Sequence, residues 1–469
     1  MRDHTFWHSA AALSWMQVLL EERVGQGFVL RVESDDRLTI RRLGEPGAIS
    51  LKLDGATFLR ADSEMACTQW DGVAEGWAMA LPGQLPAPGV QCLELPLIRS
   101  VGGDYHIGYD ILGLTFWMLT RQEEVGREDL DSHGRFPATS SHAFRHDYLE
   151  RPIVDEWLHI LRLVVGRVWP RVVLRQHRFS IKLSHDVDTP SLYGFKSWTM
   201  LGRMMLGDLL KRHDLRAFAQ APFIRVGSRK VLHTADPYNT FDWIMERSEA
   251  QGLRSAFYFI CGRTDESRDA EYEPEHPAIR QLIRRIHARG HEVGLHPSYA
   301  SYQHAGTIKA EADRLRKIAR DEGVFQDQWG GRMHYLRWEQ PTTLRAWADA
   351  GMDYDSTLGY ADRPGFRCGT CFEYPAFDPV MDKAINLRIR PLIAMEATII
   401  DPIYLGLGLG QEALERFEAL KAACARVQGC FTLLWHNSSL VSLEQRELYS
   451  KVCTMSDISL EGERRPLRQ

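Results

Sequence analysis

From about residue 178 onward, apolar runs and amphipathic segments alternate along the chain. The continuous apolar run at 256–260 predicts a buried strand, and residues 277–286 carry apolar side chains at helical spacing. Gly290 ends that helix before a second strand at 291–295. Because this alternation is typical of parallel strands joined by helical crossovers, the sequence predicts an α/β fold, either a barrel or an open sheet.

Further elements of the same alternation follow from the pattern. They are strands at 179–183, 333–336, 354–358, 391–394 and 432–435, and helices at 240–246, 307–320 and 341–350.

The first 175 residues have a different pattern. Short strand-like runs lie at 28–32 and 38–40, an apolar helix is predicted at 110–119 with Asp110 at its start, and a further helix opens near 151–157. We therefore predict a smaller mixed α+β N-terminal domain over 1–175. A larger α/β domain over 178–455 and a polar C-terminal tail over 456–469 complete the predicted organisation.

Composition excludes some classes of function. The net charge of the 469 residues is −5, and basic residues are spread among acidic ones, so no nucleic-acid partner is expected. The apolar run at 13–20 stops at Glu21, which predicts no membrane-spanning segment, and the lack of a signal sequence predicts a cytoplasmic protein. Eight scattered cysteines with a single C-x-x-C, Cys368 and Cys371, indicate free thiols rather than a disulfide framework or a structural zinc site.

The chemistry centres on two carboxylates at the end of the strand at 179–183. Asp186 and Asp188 are separated by one residue, so on an extended segment both side chains point to the same side. Two carboxylates at such a short distance repel each other unless a cation or a proton lies between them. A metal with one ligand carboxylate and one base carboxylate removes that repulsion; the alternative is a loop turn with solvated acids.

Other predicted strands also end in groups that suit metal binding or acid–base chemistry. His296 ends the strand at 291–295, and His436 ends the strand at 432–435. Arg332, His334 and Arg337 surround the strand predicted at 333–336. Because parallel strands gather their C-terminal ends on one face, these side chains are expected to converge on a metal site.

Residues 178–455 resemble the polysaccharide deacetylase family, the nodulation-deacetylase-like domain of carbohydrate esterase family 4. The resemblance rests on four motifs, at 184–188, 290–298, 332–335 and 434–436. It implies a distorted (β/α)7 barrel, an Asp-His-His set that holds a divalent metal, and hydrolysis of N- or O-acyl groups on sugars. The first 175 residues resemble the extra N-terminal region of a bacterial subgroup linked to surface-polysaccharide biosynthesis.

The resemblance implies Asp188 and His296 as metal ligands, with one departure. The family's second motif supplies another His four residues after the first, and Ala300 occupies that position here. We expect His334 to replace the missing ligand from the neighbouring strand, with Ser298 or Tyr299 as alternatives. The predicted metal is Zn²⁺.

The resemblance also implies the catalytic roles. Asp186, beside Arg332, is the general base, and His436 protonates the leaving group. A carboxylate that supports His436 is expected at Glu396 or Asp401. A backbone N–H near Tyr299 is expected to hold the oxyanion, and three aromatic residues are candidates to stack on a sugar: Trp338, Trp435 and Tyr360.

The predicted function is a metal-dependent hydrolase that removes an N- or O-acyl group, foremost N-acetyl, from a sugar. Its substrate is expected to be nucleotide-linked, lipid-linked or an oligosaccharide. Two alternatives remain open: a deformylase or small-molecule amidohydrolase on the same barrel, and a carbohydrate-binding protein that has lost its metal and its activity.

Overall fold

The computed structural model describes residues 6–454, so the tail predicted at 456–469 lies outside the described residues. The N-terminal part contains a five-stranded sheet with the order β1-β2-β3-β7-β6 and a separate pair, β4 and β5. The elements are α1 (Ala10–Arg23), β1 (Phe28–Ser34), β2 (Arg37–Arg42), β3 (Ala48–Lys52), β4 (Cys67–Trp70), β5 (Leu85–Pro88), β6 (Ile98–Val101), β7 (Asp104–Ile107), α2 (Ile111–Leu119), α3 (His142–Arg145) and α4 (Ile153–Val168).

The remainder forms a nine-stranded sheet with the order β13-β14-β12-β11-β10-β9-β8-β16-β15. Its strands are β8 (Ser180–Val187), β9 (Ser255–Ile260), β10 (Glu292–His296), β11 (Gly330–Gly331), β12 (Tyr354–Asp355), β13 (Tyr374–Asp378), β14 (Lys383–Ile389), β15 (Ala394–Met395) and β16 (Cys430–Leu434). The helices are α5 (Trp198–Leu210), α6 (Leu215–Gly227), α7 (Phe241–Ala250), α8 (Pro277–Ala288), α9 (Ala305–Asp321), α10 (Thr342–Asp349), α11 (Glu396–Ile400), α12 (Gln411–Arg426) and α13 (Leu443–Cys453).

The predicted α/β class with a parallel sheet is confirmed. Neighbouring strands run parallel from β14 to β15, and only the edge pair β13–β14 is antiparallel. Within residues 6–454 the two end strands, β13 and β15, do not pair with each other. The strand ladder is therefore an open series and does not show the closed barrel that the resemblance implies.

The prediction of a strand at 333–336 is wrong. Strand β11 covers only Gly330 and Gly331, and His334–Leu336 form a short 3-10 turn in which Tyr335 has a φ of 61°. A Cβ at Gly331 would lie 1.8 Å from the carbonyl oxygen of Leu295, so only glycine permits this close strand pairing. The turn that follows, rather than an extended strand, carries His334.

The N-terminal part packs closely against the sheet. Every residue of α2 is buried, and Asp110 caps the helix by accepting a hydrogen bond from the backbone of Gly113 at 2.7 Å. Trp15 on α1 donates from Nε1 to the carbonyl oxygen of Pro375 at 2.8 Å. Apolar residues of both parts form one continuous core, so the domain boundary near 175 remains a prediction.

All eight cysteines are free, and the C-x-x-C pair Cys368 and Cys371 is buried. No helix among the described residues is both long and apolar enough to cross a membrane.

Candidate functional site

The two carboxylates lie where β8 ends. Asp186 is near the end of the strand, Asp188 follows it, and both line a cavity of about 440 Å³. His185, which comes directly before Asp186, points the other way, into the core, where its Nδ1 donates to the carbonyl oxygen of Trp435 at 2.7 Å. This alternation is the strand geometry that the spacing predicts.

Three side chains from different strand ends meet beside this point. One ligand atom from each of Asp188, His296 and His334 lies within 4.8 Å of the other two. Nε2 of His296 is 3.2 Å from Oδ1 of Asp188, and Nε2 of His334 is 3.8 Å from the same oxygen. The structure thus brings together the three residues predicted as metal ligands.

Hydrogen bonds at Nδ1 orient the imidazole rings of His296 and His334. Nδ1 of His296 donates to the carbonyl oxygen of Arg332 at 2.6 Å, and Nδ1 of His334 donates to Oδ1 of Asp269 at 3.1 Å. With Nδ1 engaged, Nε2 of each ring carries the lone pair that can bind a metal.

The residues present fit a divalent metal. Oδ1 of Asp188 is buried and has no hydrogen-bond partner among the described residues, which is costly for a carboxylate oxygen unless a cation binds it. Burial would raise the pKa of Asp188, but His334 and His296 hold it well below its ordinary value. Burial would lower the pKa of His296, but Asp186 and Asp188 raise it. Two imidazole nitrogens and a carboxylate are a typical zinc donor set.

The alternative third ligands are engaged elsewhere. Ser298 donates from Oγ to Glu311 at 2.5 Å, and the hydroxyl of Tyr299 lies 3.0 Å from Nδ1 of His133. The expectation of an oxyanion donor near Tyr299 is wrong, because its backbone N–H donates to Asp269 at 2.7 Å. The N–H of Ala300 is also occupied, by Oγ1 of Thr264.

Arg332 is fully buried behind Asp186. Its Nη1 donates to Oδ1 of Asp186 at 2.8 Å, and its other nitrogens bond Ser184 and Ser356. Bonds on both sides fix the guanidinium, which in turn fixes one oxygen of Asp186. The other oxygen, Oδ2, is 3.6 Å from Nε2 of His296.

His436 reaches the cavity from the end of β16. Its Nδ1 donates to Oε1 of Glu396 at 2.6 Å, and its Nε2 lies 3.6 Å from Oδ2 of Asp188. Burial would lower the pKa of His436, but the Glu396 carboxylate raises it to about 10. Asp401, the other candidate, accepts instead from the backbone of Ile403. Glu396 is therefore the carboxylate that supports His436.

The walls of the cavity differ from the predicted ones. Trp338, Trp435 and Tyr360 are buried in the core and do not line it, so the expectation that they stack on a sugar is wrong. The aromatic residues at the cavity are Phe195, Tyr272, Tyr335 and Tyr404, and an apolar wall is formed by Leu336, Met395 and Leu434.

The N-terminal part also contributes to the cavity. Arg135 lines it, with Nε bonded to Asp131 at 2.7 Å and Nη1 donating to the carbonyl oxygen of Tyr335 at 2.9 Å. The main chain of His133 accepts a bond from Arg337 at 2.7 Å. The sequence pattern gives no sign that Arg135 belongs to the site, apart from its place in the loop between α2 and α3.

Comparisons with known proteins give limited matches. Residues 16–170 match the model of a family of unknown function, DUF7033. No curated protein matches the chain. A solved structure from Mycobacterium smegmatis, described as a polysaccharide deacetylase, is similar at 17% identity and a TM-score of 0.37, covering 61% of this chain and 88% of its own.

Two further solved structures are similar at a comparable level. One from Pseudomonas aeruginosa, also described as a polysaccharide deacetylase, has 14% identity and a TM-score of 0.34 over 59% of this chain and 84% of its own. The other, Puue allantoinase, has 13% identity and a TM-score of 0.34 over 59% and 83%. These similarities are weak, so the chemistry of this chain has to be inferred from its own residues.

Proposed function

We propose that this chain is a zinc-dependent hydrolase of the polysaccharide deacetylase type, with a distorted barrel as its catalytic domain. It removes an N- or O-acyl group, foremost N-acetyl, from a sugar in surface-polysaccharide or glycoconjugate biosynthesis. One observation carries the proposal: Asp186 and His436 flank the metal-competent set of Asp188, His296 and His334 inside a single cavity.

Asp186 is the proposed general base. A divalent metal held by Asp188, His296 and His334 would polarise the acyl carbonyl and lower the pKa of a water molecule. Because Arg332 holds Oδ1 of Asp186, Oδ2 is the oxygen available to accept the proton of the attacking water. In this arrangement Arg332 is a positioning residue that does not touch the substrate.

His436 is the proposed general acid. Glu396 engages its Nδ1 and leaves Nε2 directed at the cavity, where it can donate a proton to the departing amine or alkoxide. The same oxygen of Glu396 also accepts the backbone N–H of His436 at 3.0 Å, which fixes the ring. Glu396 is thus the positioning residue for the acid, as Arg332 is for the base.

The cavity walls support an acylated sugar as substrate. Leu336, Met395 and Leu434 offer an apolar surface suited to a short acyl chain. Exposed polar side chains elsewhere on the rim, among them Glu266 and Arg268, can bond sugar hydroxyls.

The test compares metal content and hydrolysis in the same preparation. Purified protein is analysed for metal and assayed for acetate release from N-acetylglucosamine oligomers, before and after chelation and zinc restoration. We expect stoichiometric metal, loss of acetate release on chelation, and recovery with zinc. The Asp188→Asn protein serves as the metal-deficient control.

Other outcomes would decide against the proposal. Formate release from N-formyl substrates, without acetate release from any acetylated sugar, would assign a deformylase. Sugar binding without bound metal or hydrolysis would assign a carbohydrate-binding protein that has lost its activity.

A further inference from the structure

A pair of helices stands beside the mouth of the cavity. Helices α5 and α6 are inserted between β8 and α7, and we call residues 197–230 the hairpin. The chain passes from Asp188 along the cavity wall, through Phe195 and Lys196, directly into α5. The hairpin therefore emerges from the rim of the candidate active site.

The hairpin packs on a small apolar cluster of its own. Tyr193, Leu201, Ala221 and Ile224 are buried together and are separate from the main core. Ser197 caps α5 and Asp214 caps α6, so each helix has a regular start. This cluster accounts for the inward faces of both helices.

The outward faces remain apolar. On α6, Leu215, Ala219, Phe223 and Val226 recur every three or four residues and all are exposed, which places them on one face. Phe223 is 73% exposed.

The outward face of α5 is similar. Leu206 and Leu210 are both exposed, and Leu210 is 69% exposed. Trp198, at the start of the helix, is 58% exposed. Isolated exposed apolar residues are ordinary, but a cluster on adjacent helices marks a surface that is covered in function.

The hairpin region is also strongly basic. Residues 196–230 contain eight Lys and Arg but only two Asp and no Glu, in a chain whose net charge is −5. The net charge of the whole chain does not reveal this basic cluster, because acidic residues elsewhere outweigh it. Arg212 pairs with Asp208, and Lys196 pairs with Glu271. The other basic residues of the hairpin have no carboxylate partner among the described residues: Arg203, Lys211, Arg216, Arg225, Arg229 and Lys230.

We propose that the hairpin docks on the surface of an anionic lipid membrane. Short helices that combine exposed Trp, Phe and Leu with unpaired Lys and Arg bind in the interface of such membranes, since apolar side chains insert and basic ones meet lipid phosphates. A second copy of this chain fits the surface poorly, because it would bring two strongly basic hairpins together.

Docking would turn the mouth of the cavity towards the lipid headgroups, since Phe195 and Lys196 join the cavity wall to α5. The substrate class that suits this orientation is an acylated sugar anchored in the membrane by a lipid. This assignment of substrate rests on the proposed function, whereas the docking itself does not.

Vesicle sedimentation tests the docking. The full chain is mixed with vesicles of phosphatidylcholine alone or of equal parts phosphatidylcholine and phosphatidylglycerol. We expect sedimentation only with phosphatidylglycerol, and release at high salt because basic side chains contribute to binding. Phe223→Ser and the Lys211→Glu/Arg216→Glu double variant should each bind about tenfold more weakly.

A matched control separates this surface from general stickiness. Phe325 is also 73% exposed, but it precedes β11 whereas the hairpin follows β8. Because these strands run parallel, the two sites lie at opposite ends of the sheet, and Phe325→Ser should bind like the unaltered protein. Unaltered binding of the Phe223→Ser protein, or no sedimentation with phosphatidylglycerol at low salt, would overturn the proposal. A dimer that Phe223→Ser abolishes, without lipid binding, would assign the surface to a second copy instead.

The substrate assignment has a separate readout. Acetate release is compared between a soluble N-acetylglucosamine oligomer and a glycolipid bearing N-acetylglucosamine in the phosphatidylglycerol vesicles. Phe223→Ser should lower kcat/KM on the vesicle substrate only. Equal loss on both substrates would overturn the lipid-linked assignment. Vesicle binding without any hydrolysis would overturn the proposed function and leave the docking intact.

Discussion

Nδ1 of His334 lies 3.1 Å from Oδ1 of Asp269. The side chain of Asp269 is fully buried, and the residue belongs to the loop that joins β9 to α8. Asp269 also accepts backbone bonds from Thr264, Asp265 and Tyr299, so its position is fixed independently of any metal. The His334 ring is therefore held with Nε2 towards Asp188, although it is carried on a tight turn rather than a strand.

Replacing this carboxylate should weaken metal binding. Asp269→Asn removes the charge that orients and polarises His334, and loss of such an outer partner typically costs about 10–100-fold in metal affinity. Competition titration with a chromophoric chelator measures the change. Asp265→Asn, in the same loop but bonded to Ser267 and Arg268, is the matched control and should bind normally. Equal affinity in the two variants would contradict the role of Asp269.

The identity of the third ligand gives a second prediction. His334→Ala and His296→Ala should lower zinc occupancy to a similar extent, because each removes one of two imidazole donors. Ser298→Ala should retain zinc, since its hydroxyl is directed to Glu311. Elemental analysis of the three proteins decides the matter; full occupancy in His334→Ala would show that another group completes the site.

Asp186 and Asp188, at the end of β8 and directly after it, should have separable roles. Asp186→Asn should keep its metal but lose most turnover, because an amide oxygen is a poor proton acceptor. Asp188→Asn should lose metal as well as turnover. Metal content and acetate release are measured on each protein, and similar metal loss in both would show that the roles are assigned wrongly.

The role of His436 should depend on the leaving group. His436→Ala should slow amide hydrolysis by about 10²–10⁴-fold, since an amine leaves poorly without a proton. An activated aryl ester should be much less affected, and metal content should be normal. Glu396→Gln should show the same pattern to a smaller degree. Equal losses on amide and ester would indicate that His436 positions substrate or water.

A buried ion pair joins the N-terminal part to the sheet. Glu124 accepts two hydrogen bonds from Arg367, at 2.9 and 2.5 Å, and both side chains are almost fully buried. Glu124→Ala should lower the free energy of unfolding by about 3–5 kcal/mol, because it leaves a buried guanidinium without that partner. Glu22→Ala removes a partly exposed pair with Arg388 across the same two parts and should cost about 0–1 kcal/mol. Urea denaturation compares them, and similar losses would contradict an intimate interface.

Stability should also depend on the protonation of Asp110. Burial raises the pKa of Asp110 from 3.8 to about 6, so the folded state holds this proton more tightly than the unfolded state. The resulting stabilisation is fully present below about pH 4 and is lost as pH rises through about 6, an effect of about 3 kcal/mol. Urea denaturation across this range should show a difference between the unaltered protein and Asp110→Asn that changes with pH. A difference in the free energy of unfolding that stays constant with pH would show that the pKa of Asp110 is not raised.

The sequence predicts the parts of this fold that depend on local pattern. The apolar runs that become β9 and β16 and the amphipathic run that becomes α8 are visible because burial on one or both faces requires that pattern. Asp186 and Asp188 are identifiable for the same reason, since strand alternation alone directs both to one side.

Elements that depend on tertiary contacts are not predictable in this way. Strand β11 has two residues and leaves no periodic pattern, and Asp269 belongs to a loop whose approach to His334 no spacing encodes. Trp338 and Tyr360 are candidates for sugar stacking in the sequence, yet hydrogen bonds and packing hold them in the core. Their burial depends on how distant segments assemble.

The three candidate metal ligands come from three separate segments of the chain, and this affects the stability of the whole protein. Asp188 follows β8, His296 ends β10 and His334 follows β11, so an ion bound to them would act as a cross-link between segments far apart in sequence. Binding to the folded state alone raises stability in proportion to the logarithm of the free ion concentration. The melting temperature of this protein should therefore rise with the concentration of free zinc. Chelation should lower it, because the cross-link between the three strand ends is then lost.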